Sequence, residues 1–144
     1  MSFTTYVGDF LLEGEVQPAQ VDAHLATGKY KSWLCLNSVA DGETKCPKAQ
    51  VEAAGIPFDS IPMGPPNWAD KEGAEKILAK VAAMEKPAVI QCSTATRASA
   101  VLCAHLARKA KLDKDGALAL ASELGLKVGA GPPPAQAWVA MCLE

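Results

Sequence analysis

The sequence predicts an α/β domain built on a single, largely parallel sheet flanked by helices, and three observations carry that expectation. Short aliphatic and β-branched runs alternate along the chain with segments of helical period, the pattern of strand–helix–strand units. The run Ala88-Val89-Ile90 is continuously apolar, as a buried strand should be. The segment 97–109 that follows it is apolar on nearly all sides (Ala98, Val101, Leu102, Cys103, Leu106), so it belongs at the centre of a packed layer.

Each element has a local reason. Residues 4–7 and 10–12 read as two short strands separated by the Gly8-Asp9 turn. Pro18 starts a helix through Val21 and Leu25, and Gly28 stops it. Residues 32–36 form a buried strand, and the polar run 41–45 a loop. A short helix over 48–54 ends at Gly55, and a strand follows at 58–61. The stiff, proline-rich stretch 62–70 leads to a helix over 69–84, with apolar residues at Ile77, Leu78, Val81 and Ala82. After the strand 88–91 come the helix 97–109, a helix over 114–124 ended by Gly125, and a last helix carrying Trp138, Val139 and Met141, introduced by Pro132-Pro133-Pro134.

At 144 residues, 49% hydrophobic and 21% charged, the composition is that of one globular domain spanning residues 1–144. A net charge of −2, with no basic cluster, argues against a nucleic-acid partner. No apolar stretch approaches the ~20 residues of a membrane span, and no basic-then-apolar leader opens the chain. The five cysteines (Cys35, Cys46, Cys92, Cys103, Cys142) show no paired spacing and no zinc pattern, so neither a metal nor another cofactor is expected. Cys35 and Cys103 read as small buried hydrophobes. The expected compartment is reducing, with the cytoplasm as default.

The chemistry concentrates in Gln91-Cys92-Ser93-Thr94-Ala95-Thr96-Arg97-Ala98-Ser99. A cysteine leaves a buried strand, small residues follow, and an arginine stands where a helix begins. The chain holds twelve lysines but two arginines, so Arg97 among alanines is not generic surface charge. Small residues let backbone N–H groups converge, and a helix N-terminus adds partial positive charge. Such a nest binds an oxyanion and favours a thiolate.

Here the sequence resembles the cysteine-based protein tyrosine phosphatase superfamily, in particular its dual-specificity-like members. It is most similar to small bacterial phosphatase-like domains that occur fused to β-lactamase-like hydrolases. The resemblance extends to Tyr6-Val7-Gly8 as an opening strand, Leu36-Asn37, Ala54-Gly55-Ile56-Pro57-Phe58, Ile61-Pro62, and the stretch from Gly116 to Gly125. It implies that Cys92 attacks phosphorus, that Arg97 clamps two phosphate oxygens, and that Ser93, Thr94, Ala95, Thr96 and Arg97 supply the phosphate cradle. The substrate implied is a phosphorylated protein or a small phosphoester. The departures are specific. Four residues, not five, separate Cys92 from Arg97; Gln91 replaces histidine; Ala95 stands where glycine is usual, at a position that favours positive φ; and Ala98 replaces the hydroxyl residue expected after the arginine, with Ser99 one step further.

The resemblance also asks for a general acid. Asp70 is the best candidate, 22 residues before Cys92 on the proline-rich stretch, although Gly64 stands where the family's aspartate more often falls. The competing reading makes Asp70 a helix cap. Asp59, on a strand, is a weaker candidate, and Asp41 and Glu43 read as parts of a solvated turn. Trp68 reads as loop packing, with a lid over the site as the alternative. His105 reads as a core histidine and His24 as a surface one. Two other functions stay open: a rhodanese-like sulfurtransferase with a persulfide on Cys92, which the six-residue loop also resembles, and a non-catalytic oxyanion-binding module. The helix order downstream of the loop favours the phosphatase. Oligomeric state is not readable from the chain.

Overall fold

The computed structural model describes residues 4–63, 70–128 and 133–144. The chain divides into two compact units, one of residues 1–62 and 84–95, the other of residues 63–83 and 96–144.

The first unit carries a five-stranded sheet. Its strands are β1 (Thr4–Val7), β2 (Phe10–Glu13), β3 (Ser32–Cys35), β4 (Phe58–Ser60) and β5 (Ala88–Gln91), in the order β1-β2-β5-β3-β4. Among the described residues only the β1–β2 pair is antiparallel, closed at Gly8 with φ +57°, a left-handed turn position that glycine adopts without steric cost. The pairs β2–β5, β5–β3 and β3–β4 are parallel, so the largely parallel sheet read from the sequence is the one formed. Helices α1 (Pro18–Ala26) and α2 (Lys48–Ala53) pack on one face. There Val21 and Val51 join Leu11, Trp33 and Val89, with Val16 and Tyr30 completing the cluster. Leu12, Leu34 and Ile90, alternating with those residues, are fully buried as well. At ~25 cal/mol per Å² of apolar surface, each such buried aliphatic side chain contributes about 1.5–3 kcal/mol.

The second unit is helical: α3 (Lys71–Ala83), α4 (Thr96–Ala110), α5 (Lys114–Leu124) and α6 (Pro133–Cys142). Helix α4 packs against α3, α5 and α6, and its residues from Ala98 to His105 are all buried, as its all-round apolarity predicts. Asp113 caps α5 by accepting from the Gly116 N–H at 2.8 Å, and Gly125 ends it in the left-handed conformation, φ +72°.

The polar run expected as a loop over 41–45 is turn from Gly42 onward, and ahead of it residues Val39–Asp41 make a short 3-10 helix capped by Ser38 and Asp41. One reading needs correction. His24 is not a surface residue. It is 16% exposed and its Nε2 lies 2.6 Å from Oε1 of Glu13, whose side chain is fully buried. Sequence periodicity could not reveal the pairing, because a carboxylate on a short strand gives no sign of which helix covers it. Among the described residues no helix is long and apolar enough to cross a membrane.

Candidate active site

Strand β5 ends at Gln91 and helix α4 begins at Thr96, leaving Cys92, Ser93, Thr94 and Ala95 as the connection. Three hydrogen bonds fix its first half within the sheet unit. The Cys92 N–H donates to the Glu13 carbonyl at 3.0 Å, and the Ser93 carbonyl accepts from the Glu15 N–H at 2.7 Å. The Ser93 hydroxyl oxygen accepts from Asn37 Nδ2 at 2.9 Å. Cys92 is fully buried, Ser93 is half-buried and Thr94 is exposed.

Ala95 closes the connection with φ +65° while fully buried. An L-residue there costs about 1–2 kcal/mol relative to its right-handed alternatives. The expectation that this position favours positive φ is met, and the chain meets it with a methyl group in place of glycine. A left-handed residue directly before a helix turns successive N–H groups to one side of the chain. The amides of Ser93 and Ala95 donate to no acceptor among the described residues.

Gln91, where the resembled family has histidine, is fully buried and uses both ends of its amide. Its Oε1 accepts from Trp33 Nε1 at 3.3 Å and its Nε2 donates to the Lys45 carbonyl at 2.7 Å. It therefore ties β5 to β3 and to the loop before α2. Its role is structural, directly beneath the cysteine in sequence.

Asn37 is the residue that sequence reasoning undervalued. It is 3% exposed, holds Ser93 through Nδ2, and its carbonyl accepts from Ser60 Oγ at 2.9 Å. Its side-chain Oδ1 is buried with no partner. The only sequence signal was its place after Leu36 in the resemblance, since the contact to Ser93 spans 56 positions.

In the helical unit, Arg97 occupies the first turn of α4, half-buried, and its Nη1 donates to the Met63 carbonyl at 2.5 Å. One arm of the guanidinium is thus anchored by main chain, which fixes the orientation of a planar fork. Thr96 is half-buried, and Ser99 is fully buried with its hydroxyl unpartnered. Asp70 is exposed immediately before α3, and its carbonyl accepts from the Ala74 N–H at 3.0 Å. Its carboxylate folds over Gly73 so closely that a Cβ at Gly73 would stand 2.6 Å from Oδ2. Gly64 and Trp68 lie outside the described residues.

Of the other candidates, Asp59 is half-buried on β4, and Asp41 caps the 3-10 helix from an exposed position. His105 is a buried α4 residue, as read, and its ring lines a separate cavity of the helical unit with Glu75 and Arg108. Burial pushes the Cys103 thiol up to about 11 and the Cys142 thiol up to about 12. No disulfide links any of the five cysteines, and among the described residues no cluster of three metal-ligating side chains occurs.

No known protein-family pattern matches the chain, and no curated protein does. Solved structures do. The chain is similar to Tk-PTP in its active form, with a TM-score of 0.72 at 18% identity over 98% of this chain and 95% of that one. It is similar to a candidate phosphatase (DUF442) from Shewanella putrefaciens, with a TM-score of 0.71 at 18% identity over 96% of this chain and 89% of that one. It is also similar to the core catalytic domain of the PP-IP phosphatase Siw14 from S. cerevisiae, with a TM-score of 0.67 at 15% identity over 96% of this chain and 84% of that one. At such identities the likeness establishes the fold: a phosphatase-like α/β architecture.

Proposed function

We propose that this chain is a cysteine-dependent phosphatase acting on a phosphotyrosine-type or small phosphoester substrate in the cytoplasm. The observation that carries the reading is the connection from β5 to α4. It is held by Glu13, Glu15 and Asn37, turned by Ala95 into the left-handed region, and followed at once by Arg97 in the first helical turn. The fold shared with known phosphatases supports the same reading.

In the proposed reaction the Cys92 sulfur attacks phosphorus, the P–O bond to the leaving group breaks, and a cysteinyl phosphate forms. The amides of residues 93–96 and the guanidinium of Arg97 take up the charge that builds on the non-bridging oxygens. Asp70 gives its proton to the departing oxygen. Water then attacks phosphorus, releasing inorganic phosphate and restoring the thiolate. Ser99 stands nearest in sequence to the hydroxyl position that Ala98 leaves vacant. The six-residue loop from Cys92 to Arg97 supports a likeness to small bacterial phosphatase-like domains that occur fused to β-lactamase-like hydrolases.

The test is hydrolysis of aryl phosphates by the full chain. Activity should be abolished in Cys92→Ser, a phosphate adduct should be trapped on Cys92, and sulfur transfer from thiosulfate to cyanide should be negligible. Asp70→Asn separates acid from cap, because Asn caps a helix about as well as Asp. It should leave stability unchanged while slowing substrates with poor leaving groups by about 10²–10⁴. A persulfide on Cys92 with thiosulfate activity would make the protein a sulfurtransferase. Oxyanion binding with silence in both assays would make it a binding module.

A further inference from the structure

Two thiols outside the proposed reaction, Cys35 and Cys46, meet in the sheet unit. Cys35 ends β3, is fully buried, and its Sγ donates to the Lys45 carbonyl at 3.1 Å and the Asn37 carbonyl at 3.6 Å. Cys46 follows Lys45 directly, is 3% exposed, and its Sγ lies 3.9 Å from Ser60 Oγ. Ser60 is in turn the register partner of Cys35 across β3 and β4. Both thiols thus border the Ser60–Asn37 pair at the end of β3, Cys35 through the Asn37 carbonyl and Cys46 through the Ser60 hydroxyl. Burial holds the Cys35 thiol well above the ordinary thiol range, and a direct side-chain interaction with Cys46 adds to it; Cys92 acts on Cys35 only as a lesser charge effect.

Access to the two thiols differs. Cys46 lines a cavity of about 240 Å³ between the 3-10 helix and α2, bordered by Val39, Gly42, Glu43, Lys48 and Glu52. Cys35 does not line it. Cys46 is thus the thiol that a small solute in the cavity meets first, and Cys35 is the fully buried one, an order that suits a first-oxidised and a resolving thiol.

We propose that Cys46 and Cys35 form an oxidisable dithiol, a modification site for a hydroperoxide that enters through this cavity. The Cys46 sulfur attacks the terminal peroxide oxygen, the O–O bond breaks, and the Cys46 proton passes to the departing oxygen. Cys46 is left as a sulfenic acid and the hydroperoxide is reduced to water or alcohol. The Cys35 sulfur then attacks the Cys46 sulfur and displaces hydroxide, which takes the Cys35 proton and leaves as water. Two thiols have lost two electrons and two protons, which the hydroperoxide has accepted. The cross-link leaves no carbonyl orphaned. Lys45 O keeps the Gln91 amide at 2.7 Å, and Asn37 O keeps Ser60 Oγ at 2.9 Å.

The experiment treats the full chain with hydrogen peroxide in the absence of reductant, quenches with iodoacetamide, and maps tryptic peptides without reduction. Cleavage after Lys45 separates the two cysteines, so a disulfide joins two distinct peptides. The expected product is lighter by two hydrogens, links the Cys35 and Cys46 peptides, reverts with dithiothreitol, and forms at an undiminished rate in Cys92→Ser. Cys46→Ser should leave Cys35 reduced. A Cys35–Cys92 disulfide in the wild-type chain would overturn the assignment. So would a Cys46 sulfenic acid that dimedone traps while Cys35 stays reduced, or two thiols that peroxide leaves untouched. Because the mapping is done on the wild-type chain, it decides the matter even if a variant fails to fold.

Discussion

Ala95→Gly is expected to be nearly neutral for stability, and the reason is a cancellation that a matched control exposes. Ala95 is buried with φ +65°, which holds about 1–2 kcal/mol of backbone strain that glycine would release. Against this, glycine forfeits one buried methyl, about 0.8 kcal/mol. It also gains freedom in the unfolded chain, a further loss of about 0.4–1 kcal/mol. The sum lies within about 1 kcal/mol of zero. Ala100 is equally buried but sits inside α4, where its backbone is helical. There the same substitution releases no strain. It loses the methyl and the helical preference for alanine, about 2 kcal/mol in all. Urea unfolding of both variants, followed by circular dichroism, should give a midpoint close to wild type for Ala95→Gly and a clearly lower one for Ala100→Gly, with similar m-values. In melting temperature the gap should be about 4–8 °C, at about 2–4 °C per kcal/mol for a chain of this size. Equal destabilisation by the two substitutions would refute the claim that the Ala95 turn is strained.

Asn37→Ala deletes the hydrogen bond to Ser93 together with a buried oxygen that has no partner. The two effects oppose each other, at about 1 kcal/mol for the bond and about 1–3 kcal/mol for the unpaired group, so stability should change little. Turnover of aryl phosphate should nonetheless fall about tenfold through loss of loop preorganisation, and an unchanged kcat/KM would remove Asn37 from the site. Stability should also decline at alkaline pH. The folded chain retains the protons of Cys103 and Cys142 up to about 11 and about 12, against an ordinary value of 9.0. The contribution is therefore complete below pH 9 and is lost as pH rises through the folded values, because the unfolded chain releases those protons first. Cys103→Ala should flatten the fall of the urea midpoint between pH 9 and pH 11, and an unaltered slope would contradict the assignment.

The strand, the loop and the helix from Ala88 to Ala110 were readable because each rests on local chemistry: a continuous apolar run, a set of small residues, a helix with no polar face. Helix ends marked by Pro18, Gly55 and Gly125 were readable for the same reason. What escaped were contacts between residues far apart in the chain. Asn37 reaches Ser93, Glu13 is covered by His24, and Cys46 reaches Ser60 on the strand that pairs with the one Cys35 ends. Each is a polar or thiol group whose role depends on which neighbour the fold brings to it, and periodicity carries no information about that. Asp70 was legible only as a pair of alternatives. Its carboxylate lies over Gly73 at the start of α3, and the acid role rests on substrate chemistry.

The way the cysteine loop is anchored bears on whether it could be exchanged as a cassette among proteins of this architecture. Its fastenings to Glu13 and Glu15 run through main chain only, so any sequence of the same length could reuse them. Its other fastenings depend on side-chain identity. Ser93 is held by Asn37, and Gln91, at the loop's threshold, is locked to the indole of Trp33 and to Lys45. A donor loop preceded by histidine would arrive in a socket shaped for a primary amide. It would leave the buried Trp33 indole N–H without its acceptor, and the Lys45 carbonyl with the Cys35 thiol alone. Transplanted loops should therefore seat only when the donor's residues at the equivalents of positions 33, 37 and 91 travel with them, which makes the unit of exchange a patch of two strands and the turn after one of them, not a run of six residues.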